Sequence, residues 1–181
     1  FIVGFKNNAS YNRLWEARQI YGGIINDSRS FAVKARDFLQ EHETNAVVNK
    51  IFDRHFAWLT FLRYQLREPR VWETLSGKQA REYMEGHYKV PEWTEELKDA
   101  VTPFLSKEEF DRLMAKKNRA SQALALQSAH INELYRDGAI TDLQQLQLQQ
   151  SITSFYDQQG KAERIKNFPY PRHFSSITTY L

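Results

Sequence analysis

The sequence contains no cysteine among its 181 residues. That absence excludes disulfide bonds, thiolate metal sites and cysteine nucleophiles, and it is compatible with a reducing compartment such as the cytosol. A charge bias is also missing, because 25 basic and 22 acidic residues give a net charge of +3 without forming a cluster. A scattered excess of this size does not predict a nucleic-acid partner.

The sequence also lacks a long apolar run. No stretch approaches the roughly 18 to 20 uninterrupted apolar residues that a membrane-spanning helix needs. We also expect no signal peptide, because the sequence lacks even an initiator Met. The length suits one domain, and 41% apolar residues with 14% aromatic residues are enough for a sizeable core. Composition alone therefore indicates a soluble globular protein.

Motifs for catalysis and for metal binding are absent as well. There is no phosphate-binding glycine loop, no nucleophile elbow and no zinc-protease signature. His130 and Glu133 are one helical turn apart, but the chain has no Glu-x-x-His pair of the kind that di-metal bundles use. Asp53 and His55 would point in different directions on a helix. We therefore predict no enzyme activity, no catalytic residue, no metal and no cofactor.

Helical periodicity, in contrast, is present almost throughout. The chain has seven glycines and five prolines, mostly where helices should end. We predict an all-α fold with a first helix over residues 1–41, weakened at the paired glycines 22 and 23, and a second helix over 45–67. From 70 to 104 the pattern is poor and predicts only short turns, over 71–75, 78–84 and 93–101.

Capping signals divide the second half of the chain. Ser106 followed by Glu109 fits a capping box and predicts a short helix to about Lys116. A helix over 121–136 should then end in a left-handed turn at Gly138.

Thr141 is the expected N-cap of a final long helix. The apolar positions of this helix are Leu143, Leu146, Ile152 and Phe155, and glutamines lie between them at 144, 145, 147, 149 and 150. Amide side chains both donate and accept hydrogen bonds, so they suit a helix between subunits or beside a water-filled vestibule. An ordinary solvated face fits them equally well.

Phe1 and Phe5 open the chain four residues apart, so on a helix they lie on one face. Two interpretations follow from that spacing. The two rings could sit in the core of a soluble amphipathic helix, or they could present an apolar ring to a pore axis.

Two blocks of sequence at opposite ends of the chain resemble a known family. The first block comprises GFKNN at 4–8, YNRLWEAR at 11–18, Gly22 and NDSR at 26–29, and the second is QQGKAERIKNFPYP at 158–171. Together, in this order and about 130 residues apart, they closely resemble the bacterial branch of the bestrophin family. The resemblance covers essentially the whole chain, although residues 68–104 carry no recognisable family pattern.

The resemblance implies the cytosolic part of a homopentameric ion channel. Residues 1–181 would form one bestrophin-like domain, with the lower end of the pore helix and its cytosolic extension at 1–41 and a cytosolic helical body at 45–181. The membrane helices would lie outside this chain, in a multi-pass protein of the cell membrane. The permeant species would be chloride or another monovalent anion, and the partners would be lipid and four further copies of the subunit.

The resemblance also assigns roles to individual residues. Phe1 and Phe5 match the lower two apolar rings of the pore neck, and Leu143 matches the single apolar ring of the cytosolic aperture, with Ile140 as the alternative if the alignment slips by three. Below the neck, we predict that Arg13, Trp15, Glu16 and Arg18 form a structural belt in which arginine and glutamate pair.

Two further interpretations remain open from the sequence. One is a soluble all-α interaction module, which composition favours. The other is a channel of the same family that is selective for monovalent cations, because apolar rings alone do not select by charge.

Overall fold

The computed structural model describes residues 2–39, 45–70, 82, 86, 87 and 89–168, and for residues 2–6 it describes the backbone alone. The described part of the chain is all-α, as the sequence predicted, and it contains no strand. Its helices are α1 (Ile2–Leu39), α2 (Asn45–Arg67), α3 (Leu97–Val101), α4 (Lys107–Met114), α5 (Arg119–Arg136) and α6 (Asp142–Asn167). Two short 3₁₀ helices, Pro91–Trp93 and Thr102–Phe104, flank α3.

Most predicted helix boundaries agree with these elements to within two residues, but the turn predicted over 93–101 is an α-helix only over Leu97–Val101 and follows a 3₁₀ helix at Pro91–Trp93. α1 continues unbroken through both glycines to Leu39, and α2 has the predicted bounds. α2 ends two residues before Pro69, which has no backbone N–H to continue the helix. The predicted turns over 71–75 and 78–84 lie outside the described residues apart from Glu82.

All three predicted capping signals are confirmed. Ser106 Oγ accepts from the Glu109 backbone N–H at 3.3 Å, and Thr141 Oγ1 accepts from that of Gln144 at 3.4 Å. After α5, Gly138 has a φ of 76°. The N–H groups of residues 138 and 139 donate to the carbonyls of residues 135 and 134, which is the Schellman arrangement that only a left-handed residue allows without strain.

The chain divides into two compact units. The first unit comprises the described residues of 1–42 and 131–181, so it is built mainly from α1 and α6, which contact each other along their length. Phe31 of α1 and Phe155 of α6 meet edge to face with ring centroids 5.5 Å apart. Ile24, Leu148 and Ile152 are also buried.

The second unit comprises the described residues of 43–130. α2 contacts α3 and both 3₁₀ helices, and its apolar face is buried at Ile51, Trp58 and Phe61. Trp93 Nε1 donates to the Arg67 carbonyl at 3.0 Å, which attaches the first 3₁₀ helix to the end of α2. The body predicted over 45–181 thus spans both units, and its last helix groups with α1.

Candidate functional site

The predicted neck lies at the very start of α1. Phe1 lies outside the described residues, and so does the side chain of Phe5. The backbone at Phe5 is helical, because α1 begins at Ile2. The assignment of both rings to a pore neck therefore stays a prediction.

Two members of the predicted belt link α1 to the far end of α6. Arg13 donates from its guanidinium to the Ile165 carbonyl at 2.7 Å. Glu16 forms an ion pair with Arg164. The sequence had suggested pairing between arginine and glutamate inside the belt, but the arginine that pairs with Glu16 comes from 148 residues further along the chain.

The other two belt residues lie on the surface of the chain. Arg18 is exposed, and Trp15 is 52% exposed beside Tyr11 and Leu14, which are both 62% exposed. We call Tyr11, Leu14 and Trp15 the exposed stripe. The spacing of three and four residues places them on one face of α1. A contiguous group of large apolar side chains on a surface marks an interaction site more often than an isolated one does.

Polar contacts fix the register between α1 and α6. Ser154 Oγ donates to Asp27 Oδ2 at 2.6 Å, and Lys34 Nζ donates to Ser151 Oγ at 3.3 Å. These contacts join residues more than 110 positions apart, so sequence reasoning missed them. The only local signal was the pair of serines three residues apart on α6, which places two small hydroxyl groups on one helix face.

Gly23 marks the closest approach in this pairing. A β-carbon at that position would lie 2.5 Å from Gln158 Nε2. The same test at Gly22 finds open space. The two adjacent glycines therefore differ in role, and Gly23 is the one that allows the glutamine side chain to lie against α1.

The predicted aperture residue stands at the start of α6. Leu143 is 64% exposed, whereas Ile140, the alternative three residues earlier, is 4% exposed. The Gly138 turn and the Thr141 cap hold the backbone on both sides of Ile140. The Leu143 side chain is thus exposed to solvent in the first turn of α6, whereas the Ile140 side chain is part of the core.

The surroundings of Leu143 form a shallow surface hollow, which Tyr135, Arg136, Ile140 and Asp142 also line. Tyr135 donates a hydrogen bond to Asp142, and this bond together with the carboxylate charge raises the pKa of Tyr135. Leu146, one turn further along α6, is also exposed. The first two turns of α6 therefore carry two exposed leucines on one face.

The glutamines of α6 do not act as a single group. Gln144 returns its side-chain oxygen to the Thr141 backbone N–H at 2.8 Å and completes the cap. Gln145 donates to Asn132 Oδ1 at 2.5 Å and ties α6 back to α5. Both contacts organise the turn around Leu143, so part of the glutamine pattern is structural.

Neither a metal centre nor a membrane span occurs within the described ranges. No group of three or more potential metal ligands comes together there. None of the helices in this part of the chain combines the length and the apolar character needed to cross a bilayer.

Comparison with known proteins identifies relatives across the whole chain. A family model described as Bacterial/Fungal Bestrophin protein matches residues 1–180. The voltage-dependent anion channel-forming protein RSc3414 of Ralstonia nicotianae is 27% identical over 174 residues, which cover 96% of this chain and 48% of that protein. The voltage-dependent anion channel-forming protein YneE of Escherichia coli K12 is 25% identical over 183 residues, covering 99% of this chain and 51% of that protein.

Solved structures agree at the level of the fold. A crystal structure of a bacterial bestrophin homologue from Klebsiella pneumoniae matches with a TM-score of 0.77 and 21% identity, over 99% of this chain and 56% of that one. The chain thus spans about half the length of the relatives that it matches.

Proposed function

Because the chain belongs to the bacterial and fungal bestrophin family, we propose that it is part of a subunit of an anion channel. The observation that carries this proposal is the family match over residues 1–180, since relatives aligned over the same span are named anion channel-forming proteins. That family and those relatives are channels, so the chain is not an enzyme, as its sequence predicted.

The channel assembles, in this proposal, as five copies around one axis, with lipid contacts made by helices outside this chain. A ring requires each copy to offer two different surfaces, one to each neighbour. The exposed stripe supports this assembly, because three large apolar side chains in contact with water are costly unless another surface covers them. Trp15 would be its main anchor, since tryptophan is enriched among residues that dominate interface energies.

Conduction would be controlled by apolar rings at two levels. Phe1 and Phe5 would line the neck, and five copies of Leu143 would form the aperture on the cytosolic side. An apolar ring gates ions by losing or regaining water, without binding the ion. The exposure of Leu143 and the burial of Ile140 support Leu143 as the aperture residue, because only an exposed side chain is available to line a passage.

The rings do not decide the sign of the permeant ion. An apolar constriction carries no charge, so selectivity must come from dipoles and charges elsewhere along the passage. We propose chloride and other monovalent anions as the permeant species, because both named relatives are anion channel-forming proteins.

Bilayer recordings on the full-length protein test this assignment. Leu143→Ala widens the proposed ring and should alter conductance or the relative permeability of anions that differ in size. Leu146→Ala is the matched control, because it shortens an exposed leucine one turn away on the same helix. If Leu143→Ala leaves anion permeation unchanged, or changes it no more than Leu146→Ala does, Leu143 does not form the aperture. If the purified wild-type protein carries no anion current, the channel proposal itself is wrong.

A further inference from the structure

A charged cluster is buried in the second unit. Arg54 is 5% exposed, and its Nε donates to Glu109 Oε1 at 2.9 Å, with a further bond from its NH2 group to the same oxygen. The other oxygen of Glu109 accepts from the Ser106 backbone N–H at 3.2 Å. One carboxylate therefore joins α2 to α4 and also completes the cap on which α4 begins.

His130 of α5 is near enough to this cluster for its charges to act on the imidazole. It is buried, and its Nδ1 has no hydrogen-bond partner within the described part of the chain. The charges that act on it are Arg54 and Lys50 from α2 and Glu109 from α4, while Glu133 on its own helix is exposed. Two cations and one carboxylate thus act on the imidazole, and that carboxylate is already bound to Arg54.

The residue one turn earlier fixes the place of His130. Gln127 is buried and donates from Nε2 to the Ile51 carbonyl of α2 at 3.2 Å. Because residues three apart share a helix face, this bond holds the His130 face of α5 against α2.

We propose that His130 is a proton-binding site whose occupation releases the Arg54–Glu109 pair. A proton taken up from solvent would place three cations around one carboxylate, and the imidazolium would compete with Arg54 for Glu109. Because the same carboxylate caps α4 through Ser106, its displacement loosens the start of that helix. Acidification therefore breaks the ion pair that joins α2 to α4 and loosens the first turn of α4.

The electrostatics agree with a site that is neutral at rest. Burial, followed by Arg54 and then Lys50, lowers the pKa of His130 to about 4, while Glu109 acts in the opposite direction. For Glu109, burial raises the pKa, but the Arg54 hydrogen bonds and charge outweigh it and lower the pKa overall. The hydrogen bonds from Arg54 thus favour the ionised form of Glu109, and burial favours the neutral form of His130. This inference lies within the second unit and does not depend on the channel proposal.

Hydrogen exchange measured by mass spectrometry on the full-length protein tests the coupling. We expect peptides that contain residues 106–110 to exchange several-fold faster at pH 4.5 than at pH 7, after correction for the intrinsic pH dependence of exchange. His130→Gln should abolish this increase. His55→Gln, which removes another buried histidine from the same unit, should leave it intact.

The wild-type protein provides a second readout if His130→Gln does not fold. Exchange at the imidazole C2 hydrogen reports the titration of His130 directly, and its midpoint should coincide with the loosening of residues 106–110. The inference is overturned if those residues stay protected while His130 titrates, or if they loosen equally in the His130→Gln variant.

Discussion

The two units use their large apolar side chains in different ways. Phe56 and Trp93 are the only large apolar residues that the second unit exposes among the described residues, and each contacts a neighbour within that unit. The first unit exposes all the others, including the stripe on α1 and the two leucines at the start of α6. Among the described residues, the second unit thus exposes fewer large apolar side chains than the first, which leaves apolar surface for contacts outside the chain.

Buried charge is found in the second unit. Among the described residues, the first unit has its ion pairs at the surface, as with Glu16 and Arg164, whereas the second has a partly exposed pair, Arg70 with Glu68, and also buries Arg54 against Glu109 together with two histidines. An exposed ion pair contributes little to stability, but a buried one is costly to break. The comparison therefore predicts that changes of charge destabilise the second unit, and that changes of apolar surface affect assembly in the first.

The largest effect is expected at the buried ion pair. Glu109→Ala leaves the Arg54 cation buried without a partner and removes half of the α4 cap, so we expect the free energy of unfolding to fall by about 3 to 5 kcal/mol. Urea denaturation measures this loss. Glu108→Ala, an exposed neighbour in the same helical turn, should cost less than about 1 kcal/mol. An equal loss of unfolding free energy in the two variants would show that the buried Arg54–Glu109 pair contributes no more to stability than an exposed glutamate does.

The next effect separates Ile140 from Leu143 in the first unit. Ile140→Ala removes a core side chain and should cost about 2 to 5 kcal/mol. Leu143→Ala shortens an exposed one and should change stability by about 0.5 kcal/mol or less. Melting curves of both variants suffice. A large loss for Leu143→Ala would place it in a core and remove it from the aperture.

These pairs show which parts of the molecule the sequence could predict. The caps at Ser106, Gly138 and Thr141 depend on contacts between residues three to five positions apart, so their signatures are local. The Arg54–Glu109 pair joins residues 55 positions apart. Any of the basic residues scattered along the chain could have partnered that carboxylate, and only tertiary packing selects Arg54.

The same limit applied to the candidate site. Leu143 and Ile140 are both apolar and lie three residues apart, so periodicity could not tell which of them is buried. The backbone turn between Gly138 and Thr141 decides it, because the turn directs Ile140 inward before α6 begins. The partner of Glu16 was likewise out of reach, since Arg164 comes from the other end of the chain.

A smaller effect follows from the buried histidines of the second unit. Burial lowers the pKa of His55 to about 4, and burial with Arg54 and Lys50 does the same for His130. The unfolded chain, with a histidine pKa near 6.5, takes up protons below that pH while the folded chain resists until about pH 4. Stability is therefore full above pH 6.5 and falls as the pH drops toward 4.

Urea unfolding between pH 7 and 4.5 measures this dependence. We expect a loss on the order of 2 kcal/mol from His55, with a further loss from His130. His55→Gln and His130→Gln should each flatten the curve in part. A wild-type curve that is flat over this range would contradict the burial of neutral histidines in the second unit.

The smallest effect tests the contact between α1 and α6. Gly22→Ala meets open space and should stabilise α1 by about 0.5 to 1 kcal/mol, because glycine is the weaker helix former. Gly23→Ala must displace the end of the Gln158 side chain, so it should gain less. Thermal melts of the two variants and of Gly23→Ala with Gln158→Ala compare them. Equal gains from the two single variants would mean that Gln158 does not lie against Gly23.

The central claim is that the apolar surface exposed on the first unit of a single chain is buried against other copies in the assembled channel. Native mass spectrometry of the full-length protein in detergent tests this claim most directly. The wild-type protein should appear as a pentamer. Trp15→Ala, which removes the largest side chain of the exposed stripe, should shift the population toward smaller species, whereas Trp93→Ala in the second unit should leave the pentamer intact. A wild-type monomer or dimer, or a pentamer that Trp15→Ala does not weaken, would contradict the account.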